Sequence, residues 1–111
     1  MEISLSHEKD FTLICLAGRL EATQATVLTE SIQKALREGP PRLLVDCSSL
    51  GYVASMGLRC FLLAHKGAHD AGGRVVFCGL NENVRSVFTM TGFDKIAQVR
   101  ATREEALACL R

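Results

Sequence analysis

Apolar residues along this chain fall into short runs whose spacing separates strands from helices. Ile3, Leu5 and His7 alternate with Glu2, Ser4 and Ser6, the two-residue period of a half-covered strand at a sheet edge. A turn at Glu8-Lys9-Asp10 follows. Phe11 to Ala17 is then apolar on both faces, which predicts an interior strand paired antiparallel with the first and ended by Gly18-Arg19-Leu20-Glu21. Leu43, Leu44 and Val45 are consecutive within Arg42 to Asp46, so that strand is expected to be central. Arg74 to Cys78 is a further apolar strand, entered from a helix and hence parallel to the Arg42 to Asp46 strand, and Lys95 to Val99 is a short last strand.

Between these runs the period lengthens to that of a helix. Thr23 to Glu38 places Leu28, Ile32, Ala35 and Leu36 on one face and Glu30, Gln33, Lys34 and Arg37 on the other, and it stops at Gly39-Pro40-Pro41. A second helix runs from Ser55 to about Ala71, with Leu58, Phe61 and Ala68 toward the core and Arg59, Leu62, Leu63, Lys66 and Asp70 on the opposite side. Leucines among charges suggest a contact surface there. Gly72-Gly73 closes this helix. Asn81 is expected to cap a third helix ended by Gly92, and Thr102 a fourth, with Glu105 completing its capping box. A hairpin followed by alternating helices and strands predicts an α/β domain with a mixed sheet and about four flanking helices.

Composition narrows what such a domain does. Length of 111 residues predicts one domain spanning residues 1–111, and 48% hydrophobic content suffices for its core. Net charge is +1 with scattered basic residues and no Trp, so direct nucleic-acid binding is not expected. The five cysteines are odd in number, lack C-x-x-C spacing and lie mostly in apolar runs, which predicts reduced thiols and a cytoplasmic setting. Neither a signal peptide nor a membrane-inserting segment is read from the pattern.

Candidate chemistry concentrates between Asp46 and Leu63. Ser55 reads as the N-cap of the second helix and as an exposed hydroxyl, beside free backbone N–H groups and the positive end of the helix dipole. Gly57 would leave the approach open, and Arg59, one turn on, could neutralise part of a phosphoryl group on Ser55. Asp46 ends a central strand, where a phosphoacceptor aspartate would sit, but supporting metal-binding acids are not evident, so a turn held by its own side chain is the plainer expectation. His65 and His69 are four apart, yet Lys66 stands where a zinc-protease glutamate would be. No nucleotide-binding or hydrolase motif occurs, so no cofactor, metal or enzymatic activity is expected.

The pattern Asp46-x-Ser48-x-Leu50-x-x-Val53-Ala54-Ser55-Met56-Gly57-Leu58 resembles the signature of the STAS family, and the resemblance extends over nearly the whole chain. Gly18-Arg19-Leu20-Glu21 is similar to the family's G-x-L-D turn, Gly72-Gly73 with its apolar strand to its middle, and Val84 to Phe93 to its closing segment. The resemblance implies a non-enzymatic anti-sigma factor antagonist, a module that binds a serine-kinase anti-sigma factor and releases the sigma factor. Phosphorylation by that kinase would abolish binding, and a metal-dependent serine phosphatase would restore it. It implies Ser55 as the phosphoacceptor, with Ser48 and Ser49 in the preceding turn. Glu21, Met56, Arg59 and Leu62 are expected to form the partner surface around it. Ala54 and Met56 replace the Asp and the Ser or Thr that often flank the acceptor, and Glu21 replaces the usual Asp. An alternative within the same resemblance is a constitutive STAS subunit of a bacterial lipid-transport ABC complex, in which Ser55 would be only a cap.

Overall fold

The computed structural model describes residues 1–110. In chain order it contains β1 (Glu2–His7), β2 (Thr12–Leu20), α1 (Ala22–Glu38), β3 (Arg42–Val53), α2 (Ser55–Asp70), β4 (Arg74–Cys78), α3 (Glu82–Thr91), a short 3-10 turn (Phe93–Lys95), β5 (Gln98–Arg100) and α4 (Arg103–Leu110). The strands lie side by side in chain order as one sheet; β1 runs antiparallel to β2 and every other pair is parallel. The mixed α/β architecture expected from the hydrophobic pattern is therefore the one observed, with β3 at its centre.

Alternation along the strands divides the core in two. Ile14, Leu16, Leu43, Val45, Val75 and Phe77 meet the apolar faces of α1, α2 and α3, and four phenylalanines, Phe61, Phe77, Phe88 and Phe93, pack there with ring centroids between 4.9 and 6.0 Å apart. Leu44, Val76 and Cys78 point to the other face, which α4 covers with Ala106 and Leu110. Gly92, at φ +78°, ends α3 in the left-handed conformation as its position predicts. At Gly73 a Cβ would collide with the Pro41 carbonyl, so only glycine permits the chain leaving α2 to pass so close to the start of β3.

The fold departs from the expected elements in four places. β2 runs to Leu20 and β3 to Val53, so Gly18-Arg19-Leu20 and Ser48-Ser49 lie in strands where turns were expected. The two extensions pair with each other, with register shifts between Cys15 and Ala17 and between Gly18 and Arg19, and the small residues absorb those irregularities. The N-cap of α2 is Ala54, and Ser55 is its first helical residue. Gly57 opens no approach to a ligand: its Cα faces inward, where a Cβ would fall 2.6 Å from Leu20 Cγ and 2.8 Å from Val53 Cγ2. Finally, the last strand starts at Gln98, because Gly92 leads into a 3-10 turn over part of the stretch expected to be extended.

Candidate functional site

The segment from Asp46 to Leu63 forms the end of the central strand and the start of α2, at the carboxyl ends of the parallel strands where open α/β sheets place their functional groups. Leu20 and Val53 are buried register partners, and the Leu20 carbonyl accepts from the Ala54 N–H at 2.9 Å. Gly57 nests against the same two side chains, which seats the first turn of α2 on the sheet. Ser55 projects into solvent from this seat. The first helical backbone bond of α2 runs from the Leu58 N–H to the Ala54 carbonyl at 3.0 Å, so the N–H groups of Ser55, Met56 and Gly57 precede the ladder. Ala54 offers them no side-chain acceptor and the first turn carries no acid. A negative group on the Ser55 hydroxyl would meet these donors and the positive end of the helix.

The predicted partner residues divide between two stripes of α2. Ser55, Arg59 and Leu62 follow at intervals of four and three, so they share the outward face, and Leu62 is 43% exposed. Met56 is turned aside from them toward α1, where it lines a cavity of about 270 Å³ with Arg59, Cys60, Leu63, Thr26, Thr29 and Glu30. Glu21 lies at the start of α1, immediately after Leu20, which is bonded to Ala54; it is thus on the backbone segment adjoining Ser55. Its carboxylate pairs with Arg19 at 3.5 Å, and the Arg19 guanidinium rests 4.2 Å from the centre of the Tyr52 ring. Helical period in the sequence identifies the outward stripe. It also places Leu63 on the exposed side of α2, but it does not reveal Tyr52 and the α1 wall, which join the site only through tertiary packing.

Asp46 lies within β3 with its carboxylate bonded to Ser48 and Arg103 rather than presented to solvent, so the side-chain bond expected of it forms in a strand and not in a turn. One carboxylate oxygen accepts from the Ser48 N–H at 2.9 Å and the Ser48 hydroxyl at 2.6 Å; the other accepts from Arg103 Nε at 3.1 Å and Nη2 at 2.6 Å. Burial alone would raise this carboxyl, but the bonds from Ser48 and Arg103 outweigh it and hold the group below its ordinary value. Arg103 belongs to no motif, and nothing in the sequence marks it as a partner of Asp46. The His65 and His69 rings stack with centroids 6.5 Å apart, and no group of three or more metal-ligating side chains occurs among the described residues. All five cysteines are free; burial pushes the Cys47 thiol up, and the Cys78 thiol up to about 11, so both are protonated thiols at neutral pH.

Comparison with known proteins agrees with this fold. The family model described as "Mlab, STAS domain" matches residues 3–101. A protein of Bordetella bronchiseptica named as the anti-sigma factor antagonist BtrV is 31% identical over 111 residues, covering 100% of this chain and 96% of that protein. A crystal structure described as an anti-sigma factor antagonist of Thermotoga maritima superposes with a TM-score of 0.92 at 20% identity, covering 98% of this chain and 94% of that one. The phosphorylated form of SpoIIAA, a Bacillus cell fate determinant, superposes with a TM-score of 0.78 at 20% identity, covering 99% of this chain and 100% of that one. The chain belongs to the STAS-domain family.

Proposed function

We propose that this protein is an anti-sigma factor antagonist: a single, non-enzymatic STAS module of the cytoplasm that binds a serine-kinase anti-sigma factor and releases its sigma factor. The kinase phosphorylates Ser55 and ends the interaction, and a metal-dependent serine phosphatase restores it. The observation that carries this is the exposed Ser55 hydroxyl at a helix start with neither a capping side chain nor an acid. A phosphoryl group there adds about −1.5 to −2 charges, and α2 accommodates them with its own N–H groups and Arg59. The domain stays folded while its partner surface changes. The partner docks against a neutral hydroxyl and the stripe formed with Arg59 and Leu62, flanked by Glu21 and Met56, so a hydrated dianion blocks docking by bulk and desolvation. A cost of about 3–4 kcal/mol lowers affinity by two to three orders of magnitude.

Two comparisons favour this over a constitutive lipid-transport subunit. Further relatives are also antagonists by name, among them the anti-sigma F factor antagonist of Paenibacillus polymyxa and the anti-sigma-B factor antagonist of Listeria monocytogenes. One fold neighbour, SpoIIAA, is solved in both unphosphorylated and phosphorylated forms. The test titrates an anti-sigma factor kinase with wild type, Ser55→Ala, Ser55→Asp and Leu62→Asp. Ser55→Ala is expected to bind constitutively, whereas Ser55→Asp and Leu62→Asp lose affinity at least tenfold, roughly 1.4 kcal/mol or more. Equal affinity of the two Ser55 variants would reduce Ser55 to a structural position; unchanged binding by Leu62→Asp would remove the outward stripe from the interface.

A further inference from the structure

β3 outruns its neighbour on one side. Its ladder with β4 joins Arg42 to Asp46 with Arg74 to Cys78, and there β4 ends, while β3 continues to Val53. Along that extension β2 is the only strand beside it among the described residues, and the register shifts of the β2–β3 ladder fall in the same region. A bare edge opposite an irregular ladder is a loose way to hold a segment. This segment nevertheless delivers the chain to Ala54 and Ser55.

The bare edge is occupied by the connector that leaves β4. Gly79, at φ +72°, passes so near that a Cβ on it would lie 3.0 Å from the Cβ of Ser48. Two residues on, Asn81 Nδ2 donates to the Leu50 carbonyl at 3.2 Å. The Oδ1 of the same carboxamide accepts from the Val84 N–H at 2.8 Å and caps α3. The two bonds fix the orientation of the amide, because the Leu50 carbonyl can only accept and the Val84 N–H can only donate. One side chain thus joins the start of α3 to the end of β3.

We propose that Asn81 is a positioning residue for Ser55: its carboxamide takes the place of the missing strand partner at Leu50 and fixes the end of β3, so that the hydroxyl is presented in one place. This rests on Ser55 being the phosphoacceptor, and it adds a residue that no helix-cap signal in the sequence distinguishes from an ordinary cap. Aspartate or serine at this position is not equivalent to the native asparagine: each keeps an acceptor for the Val84 N–H, but an ionised carboxylate has no donor for the Leu50 carbonyl, and a serine hydroxyl carries donor and acceptor on one oxygen a bond short of the two carboxamide atoms that reach Leu50 and Val84.

The test therefore compares Asn81→Asp and Asn81→Ser with wild type. In the purified protein, amide hydrogen exchange from Gly51 to Ala54 is expected to quicken about tenfold in both variants, with α3 amides unchanged. With an anti-sigma factor kinase that phosphorylates wild type, kcat at Ser55 is expected to fall about tenfold while KM stays within about twofold, because the docking face of α2 is intact and only the hydroxyl is misplaced. Wild-type exchange and kcat in both variants would overturn the proposal. So would faster exchange throughout α3, which would make Asn81 a cap alone, or a defect confined to Asn81→Asp, which would trace the effect to its charge. If wild type itself is not phosphorylated at Ser55 by a kinase that binds it, the Ser55 assignment fails and the positioning role with it, while the exchange data still decide whether Asn81 holds β3.

Discussion

At the scale of single residues, the decisive one is Ala54. Helix α3 has the Asn81 carboxamide at its start and α4 the Thr102 hydroxyl, which accepts from the Glu105 N–H at 3.1 Å, whereas the capping position of α2 holds a methyl group. In the sequence Ser55 resembles a cap because serine is favoured there and an apolar helix follows; a shift of one position leaves its hydroxyl free. Ala54→Asp is therefore expected to stabilise the domain by about 1 kcal/mol, roughly 5 °C in Tm, as the side chain satisfies the first-turn N–H groups. Ser55→Ala, at a position that caps nothing, is expected to change stability by less than about 0.5 kcal/mol. Thermal and urea unfolding of the two variants check both values. A loss of about 1 kcal/mol in Ser55→Ala would show that the hydroxyl caps α2 in solution.

At the scale of elements, apolar runs and helix stops locate every strand and helix, because the helices bury one face, the interior strands bury both, and Gly39-Pro40, Gly72-Gly73 and Gly92 end the first three helices. What the pattern hides is the length of β2 and β3. Gly18, Ser48, Ser49 and Gly51 are turn-forming residues, and only the pairing of Ala17 to Leu20 with Ser49 to Val53 draws them into the sheet. The seat of α2 is hidden for the same reason: Gly57 looks like an open approach until Leu20 and Val53 are placed beneath it. Gly57→Ala is expected to cost about 1–3 kcal/mol by overpacking, although alanine is the better helix former by about 1 kcal/mol. Denaturant unfolding gives the sign directly. A stabilised Gly57→Ala would mean that α2 can lift from the strands without loss and that its first turn is not rigidly seated. The outward stripe Ser55, Arg59 and Leu62 is legible from helical period alone, whereas its neighbours on α1 and the link from Asn81 to Leu50 span sequence separations that no local pattern encodes.

At the scale of the whole molecule the sheet is unevenly covered, with three helices on one face and the eight-residue α4 on the other. A helix that short is not stable alone, so α4 exists because it is docked. Ala106 and Leu110 supply the apolar contact, Arg74 donates to the Cys109 carbonyl at 3.2 Å, and Arg103 binds Asp46 through two nitrogens. The last of these makes docking sensitive to acid. Because the Asp46 carboxyl is held below its ordinary value, its contribution is complete above the unfolded-state value near 3.8, and is lost as the pH falls from there through the lowered folded-state value. Arg103→Ala leaves a buried carboxylate with only Ser48 to satisfy it, and is expected to cost about 1–2 kcal/mol at pH 7, a figure kept modest because Arg103 is half exposed. At low pH both proteins carry a neutral Asp46, so the difference between them should shrink. Unfolding of wild type and Arg103→Ala from pH 7 down to about pH 2 separates this effect from other carboxylates, which titrate in both proteins alike. A gap that stays constant with pH would assign the loss to the packing of the Arg103 stem, and α4 would then be held by apolar contact without the ion pair.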